Sequence, residues 1–189
     1  MKSHKTDNSH FWGKVRLREK MIEDLSEINV LDLYSGYGTI WSTIKERNKD
    51  KKINVTSVEK VKGKNPNAIC ADALKLIPSL DLSRYDVIDI DVYGNPYKPL
   101  KAIVKNGSFK DGVNIFLTDI RIGYGAVPTE LLLSLGFAEK QIKKAPTIFY
   151  KFEQLAIFNF LYELGVKKVL KFQPTYNKIY IGFKLRRCL

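Results

Sequence analysis

Residues 30–41, VLDLYSGYGTIW, constrain this chain more than any other stretch. A run of strand-forming residues breaks at Ser35-Gly36-Tyr37-Gly38 and resumes as a helical pattern. Two glycines so placed let the backbone turn sharply and approach a ligand closely. The helix that follows opens with unpaired N–H groups. A strand–turn–helix unit of this kind needs further strands beside it, and the chain supplies them. Strands are expected at 29–34 (NVLDLY), 53–59 (INVTSVE), 67–71 (NAICA), 85–91 (YDVIDID) and 112–120 (GVNIFLTDI). Helices are expected at Phe11–Leu25, Thr39–Arg47, Pro99–Asn106 and Phe149–Leu164. The segments VKKVLKFQ and KIYIGFKL read as a closing hairpin around PTYN. This alternation predicts an α/β fold, with a mostly parallel sheet, helices on both faces and the antiparallel hairpin at one edge. Ligands of such sheets bind beyond the carboxyl ends of the strands, where strand order reverses.

The 189 residues suit a single domain, with residues 1–9 expected as a mobile arm. Lysine and arginine exceed aspartate and glutamate by 12. That excess favours a phosphate-rich partner, although it also suits a merely solubilising surface. No basic amphipathic helix for a membrane surface and no signal peptide stand out, so a cytoplasmic protein without membrane attachment is expected. The only cysteines, Cys70 and Cys188, form no CxxC or Cys/His cluster, which argues against zinc or a disulfide scaffold. No metal site is expected.

Acidic residues end successive strands. Asp32 lies inside the first strand, where it suits a cationic ligand better than a pyrophosphate. Trp41 stands where a dinucleotide site would want its third glycine, and no lysine follows as in a P-loop. Glu59 ends the second strand, where one carboxylate can accept from both hydroxyls of a ribose. Asp72 follows the third, where it can accept from an adenine amine. Asp32-Leu-Tyr-Ser-Gly36-Tyr-Gly38 resembles the first motif of the class I S-adenosylmethionine-dependent methyltransferases, D-x-x-x-G-x-G in the branch that modifies nucleic acids. The resemblance implies a Rossmann-like methyltransferase fold with a seven-stranded sheet. It implies S-adenosylmethionine as cofactor, bound by Asp32, Tyr34, Ser35, Gly36 and Gly38, with Glu59 on the ribose and Asp72 on the adenine. It spans residues 29–120 by motif and the remainder by architecture.

The stretch DIDVYGNP, Asp89–Pro96, follows the fourth strand. Methyltransferases of exocyclic amines keep an Asp/Asn-Pro-Pro-aromatic motif there. The nitrogen lone pair of an aromatic amine is delocalised and nucleophilically weak, so acceptors that hold its hydrogens help. Asp91 and the Val92 carbonyl are candidate acceptors, Tyr93 a candidate stacking ring and Gly94 a gap for the base. In-line positioning would then supply much of the rate. The wider run YDVIDIDVYGNP resembles the tRNA guanine-N2 dimethyltransferases, D-x-x-D-x-D-P-aromatic-G-x-P, through Asp86, Asp89, Asp91, Tyr93, Gly94 and Pro96. VKNG (104–107) and Thr118-Asp119 fit the same family. Val92 stands where the family has proline, which loses the fixed φ. The chain's length leaves no room for the family's extra substrate-recognition domain.

The expected function is methyl transfer to an exocyclic amine of a nucleic-acid base, with Asp91 and Tyr93 as catalytic residues and Asp89, Val92 and Gly94 holding substrate. An RNA guanine in a tRNA-like substrate is the first choice. The alternatives are DNA adenine or cytosine, or a non-catalytic nucleic-acid-binding protein that retains the fold. A cysteine nucleophile is not expected, since Cys70 precedes Asp72 and Cys188 lies at the tail. SHFWGKVRLR (9–18) interleaves aromatics with Lys14, Arg16 and Arg18, and reads equally as a cover over cofactor or phosphate and as an aromatic staple before a basic helix. Basic runs at NKDKK, EKVKGK and KLRRCL suggest a phosphate-tracking face. The connection RIGYGAVPTELLLSLGF (121–137), with Gly123, Gly125 and Pro128 near its start, is long enough to shape a substrate pocket, and Tyr124 reads as a second base-stacking ring or, better, as a turn aromatic. The oligomeric state is left open.

Overall fold

A computed structural model describes residues 10–120, 129–134, 136–144, 157–175 and 178–187. Its seven strands are β1 (Glu27–Asp32), β2 (Lys52–Glu59), β3 (Ile69–Cys70), β4 (Val87–Ile90), β5 (Val113–Ile120), β6 (Val169–Thr175) and β7 (Lys178–Leu185). They form one sheet in the order β3-β2-β1-β4-β5-β7-β6. β1 to β5 run parallel, and β7 is antiparallel to both β5 and β6. The closing hairpin therefore inserts its second strand between β5 and its first. Strand order reverses between β1 and β4, so the switch point lies beyond Asp32 and Ile90.

The period-two pattern of the strands sorts side chains onto two cores. On one face Leu31, Leu33, Ile88, Ile90, Ile115, Leu117 and Ile181 meet α3 (Ala73–Leu76), α4 (Tyr97–Asn106), α5 (Thr129–Ser134), α6 (Glu139–Lys144) and helical residues 157–163. On the other, Ile28, Val30, Val87, Phe116 and Tyr180 meet α1 (Phe11–Met21) and α2 (Thr39–Arg47). Helices thus cover both faces, as the alternation requires.

α1 is integral to this second layer. Val15, Leu17 and Ile22 are buried, worth together roughly 5–9 kcal/mol of gross hydrophobic stabilisation. Two glycines permit its close approach: a Cβ on Gly13 would strike the Phe172 ring, and one on Gly182 would strike Met21 Sδ. The helix stops at Met21 rather than Leu25. Lys51 Nζ donates to the carbonyls of Glu23 and Leu25, at 2.8 and 2.7 Å, and holds the chain in its turn towards β1. β3 is shorter than expected because only Val58 and Glu59 pair with it, at an exposed sheet edge. α4 begins two residues early, at Tyr97, whose N–H donates to Asn95 Oδ1. The residues expected as a helix from Phe149 fall partly outside the described residues, as do residues 1–9 and 121–128, with Gly123, Tyr124, Gly125 and Pro128, and Cys188. No described helix is long and apolar enough to cross a membrane. Among the described residues no His, Cys, Asp and Glu cluster suits a metal.

Candidate active site

The glycine turn is built as its sequence implies. Ser35 N–H donates to the Val58 carbonyl, which ties the turn to β2. Gly38 N–H donates to the Ser35 carbonyl at 2.7 Å and closes the turn. Gly36 and Gly38 have φ of 57° and 73°, a region that side chains disfavour. Gly38 is also crowded: a Cβ there would lie 3.0 Å from Asn65 Nδ2. Asn65 belongs to the 60–68 loop and donates to Ser35 Oγ at 3.1 Å. In the same loop Lys64 lies 3.8 Å from Glu59 and over the exposed ring of Tyr37. This loop therefore folds across the mouth of the turn.

Glu59 accepts from the N–H of Gly36 at 3.0 Å and of Val61 at 2.9 Å, one bond to each oxygen. That fixes the carboxylate beside the turn and leaves each oxygen further acceptor capacity. Asp72 caps α3 through Leu74 N–H and pairs with Lys60 at 2.8 Å. The Lys60 hydrogen bond holds its carboxyl below the usual range. Tyr34 is half-buried nearby, and burial first, then the Asp72 charge, push its phenol up to about 12. Asp32, Tyr34, Ser35, Gly36, Gly38, Glu59 and Asp72 thus lie along the carboxyl ends of β1, β2 and β3.

Beyond β1 and β4 three carboxylates converge: Asp32, Asp89 and Asp91. Two cations from α1 answer them. Arg18, 1% exposed, forms a fork to Asp89, with Nε–Oδ2 at 2.6 Å and Nη2–Oδ1 at 2.7 Å. Trp41 Nε1 donates to the same Oδ2 at 2.8 Å. Lys14 Nζ reaches both Asp91 oxygens, at 3.1 and 2.9 Å. Arg18 Nη2 lies 3.8 Å from Asp91 Oδ2. The rings of Phe116 and Tyr180 face Arg18 and Lys14 at 5.1 and 5.2 Å.

Three acids against two bases leave one carboxyl without a full counter-charge. It is Asp32. Burial first, then repulsion from Asp89, raise its pKa well above the usual range, although Arg18 opposes them. Asp91 goes the other way. Burial alone would raise it, but Lys14 and then Arg18 hold it below the usual range, so it is an ionised acceptor. The buried Thr118 hydroxyl lies on the Asp91 side and adds to this lowering, without a hydrogen bond of normal geometry. Burial would lower Arg18, and the Asp89 charge and hydrogen bonds more than offset it, so that the guanidinium is held more firmly charged.

The structure gives two acids of this motif contacts within the protein. Asp89, expected to hold substrate, is 1% exposed and engaged by Arg18 and Trp41. It seats α1 on the sheet. Asp86 lies at the far end of β4, where it accepts from Asn29 N–H and pairs with Lys110, linking β1, β4 and the start of β5. The amine loop itself stands open. Tyr93 is 67% exposed, Val92 packs partly against the core, and Gly94 has φ of 131° with nothing within 4 Å of a would-be Cβ. Asp91 and Asp32 come together, whereas Tyr93 points to solvent.

Sequence reasoning missed the roles of Lys14, Arg18 and Trp41. The available signal was charge: acids crowded on one strand face demand counter-ions, and the neighbouring helix carried basic residues at i and i+4. Trp41, which broke the glycine pattern, contributes an indole N–H in place of a gap.

No family model matches the chain, and no curated protein matches it. Solved structures do. HI0767 from Haemophilus influenzae, a candidate methylase, aligns at a TM-score of 0.56 and 12% identity over 93% of this chain and 89% of its own. The plantazolicin methyltransferase BpumL, solved with S-adenosylhomocysteine and a plantazolicin analogue, aligns at 0.53 and 15% over 97% and 87%. A SAM-dependent methyltransferase from Archaeoglobus fulgidus aligns at 0.51 and 14% over 92% and 93%. With the strand order and the single antiparallel strand, these matches show that the chain has the Rossmann-like methyltransferase fold.

Proposed function

We propose that this protein is an S-adenosylmethionine-dependent methyltransferase acting on an exocyclic amine of a nucleic-acid base, with an RNA guanine in a tRNA-like molecule as the favoured target. One observation carries the reading. An ionised Asp91 and an under-neutralised Asp32 meet at the switch point, beside a glycine turn flanked by Glu59 and Asp72. The site fits a cationic cofactor, since its carboxylates outnumber its cations. Asp32, Tyr34, Ser35, Gly36 and Gly38 would hold the cofactor, Glu59 its ribose and Asp72 its adenine. The cofactor supplies a methyl group made electrophilic by a sulfonium.

The chain's own residues do the rest. Asp91 accepts a hydrogen of the substrate amine and favours localisation of the nitrogen lone pair. The Lys14 ammonium keeps Asp91 ionised and fixes its orientation, while its oxygens retain lone pairs for substrate. Tyr93, exposed beside Gly94, would stack on an extruded base. No strong general base is required, because the amine proton becomes acidic once the methyl is attached. The preference for RNA guanine rests on YDVIDIDVYGNP and on the basic excess of the chain.

The test is transfer of labelled methyl from S-adenosylmethionine to total tRNA, rRNA or DNA, with mass spectrometry of the modified base. Asp91→Ala should abolish transfer while S-adenosylhomocysteine still binds by calorimetry. Full activity in that variant overturns the amine assignment. A second reading is favoured by Lys14 spanning both Asp91 oxygens and by Val92 in place of proline: a non-catalytic nucleic-acid-binding protein. It requires RNA binding with no transfer to any substrate.

A further inference from the structure

At the other end of the sheet a cleft opens between the end of α1 and the β6–β7 ribbon. Its floor includes Met21, Leu170 and Phe183. Its rim carries Lys167 and Lys168 from the connection into β6, and Lys184 and Arg186 from the end of β7. All four are exposed, and none makes an ion pair among the described residues. Lys20 also lines it but is closed onto Glu23 at 2.7 Å. Including Lys20, five cations stand against the two carboxylates of Glu23 and Asp24. Unpaired exposed cations around one concave surface repel one another and gain from a shared polyanion.

We propose that this cleft docks the phosphodiester backbone of the polynucleotide substrate, remote from the site of methyl transfer. The inference rests on the nucleic-acid reading above and adds a requirement of size. β7 runs eight residues between the two ends of the sheet, so the cleft lies about 25 Å from the carboxyl-end edge. That span corresponds to on the order of seven stacked nucleotides of one strand. The substrate is therefore a long or structured polynucleotide, not a nucleoside or a short oligonucleotide. Phosphate contacts of this kind position the substrate and carry no sequence information.

The experiment compares wild type with two charge reversals, Lys167→Glu/Lys168→Glu and Lys184→Glu/Arg186→Glu. A control reverses two exposed cations outside the cleft and outside the basic runs, Lys45→Glu/Arg84→Glu. Binding of bulk tRNA is measured by fluorescence anisotropy from 50 to 200 mM salt, with thermal unfolding as a check on folding. Each cleft variant should lose at least tenfold in affinity, and its log–log salt slope should fall by about two, given a slope near 0.7–0.9 per phosphate contact. The control should lose less than threefold. Transfer to a four-nucleotide RNA, too short to reach the cleft, should be slow in the wild type and equally slow in all variants. Equal losses in cleft and control variants, or wild-type affinity in the cleft variants, overturn the proposal while leaving the methyltransferase reading intact. Tighter binding of the cleft to phosphatidylserine vesicles than to tRNA overturns it in favour of a membrane surface. Failure of the wild type to bind tRNA or DNA at 50 mM salt overturns the nucleic-acid reading and this inference with it.

Discussion

Replacing Arg18 by methionine should destabilise the protein more than any surface change. The methionine keeps the apolar stem against Phe116 but removes the fork. Asp89, 1% exposed, would then retain one donor, Trp41 Nε1, among the described side chains. Asp32 and Asp91 would repel it without the guanidinium between them. Breaking a buried pair in this way costs about 3–5 kcal/mol, against a total stability on the order of 5–15 kcal/mol. For a chain of this length the melting temperature should fall by roughly 6–20 °C. Urea unfolding followed by Trp41 fluorescence, with the exposed Trp12 changed to phenylalanine, reads the network directly. The control is the double variant Arg18→Met/Asp89→Leu. It removes both charges and should be more stable than Arg18→Met alone, because no buried carboxylate is left without its partner. A loss below about 1 kcal/mol, with additive single and double variants, would refute the claim that this pair seats α1.

Lys14→Gln removes the main charge that lowers Asp91, so the acidic limb of a methyl-transfer pH profile should move to higher pH, with Lys14→Arg restoring it in part. Asp91 itself lends stability above its unfolded pKa that fades as pH falls towards its depressed folded value; in Lys14→Gln that loss should begin at higher pH. Asp32 has the opposite sign. Its raised folded pKa means that its contribution to stability is present in acid and lost as pH rises through that value. Binding of S-adenosylmethionine, whose cationic groups favour the ionised carboxylate, should therefore tighten with rising pH and release protons, and Asp32→Asn should flatten that dependence in calorimetry. Gly38→Ala forces a side chain into φ of 73° against Asn65. It should cost about 1–3 kcal/mol and weaken S-adenosylhomocysteine binding.

What the sequence determined was local in origin. Alternating apolar runs, the glycines at 36 and 38, and acids at successive strand ends all follow from short-range rules of backbone and burial. They were enough for the sheet, both helical layers and the edge where the acids gather. Asp86 and Asp89 match the same sequence motif as Asp91, yet the pleat and the strand length send one to the far end of β4 and the other into the interior. Only the tertiary structure decided which charges meet. Lys14 and Arg18 are 77 and 71 residues from their partners, and no periodicity encodes a contact at that separation. A buried carboxylate must find a cation or give up its charge. The packing of α1 on the sheet gives Asp89 and Asp91 their cations and leaves Asp32 without a full counter-charge.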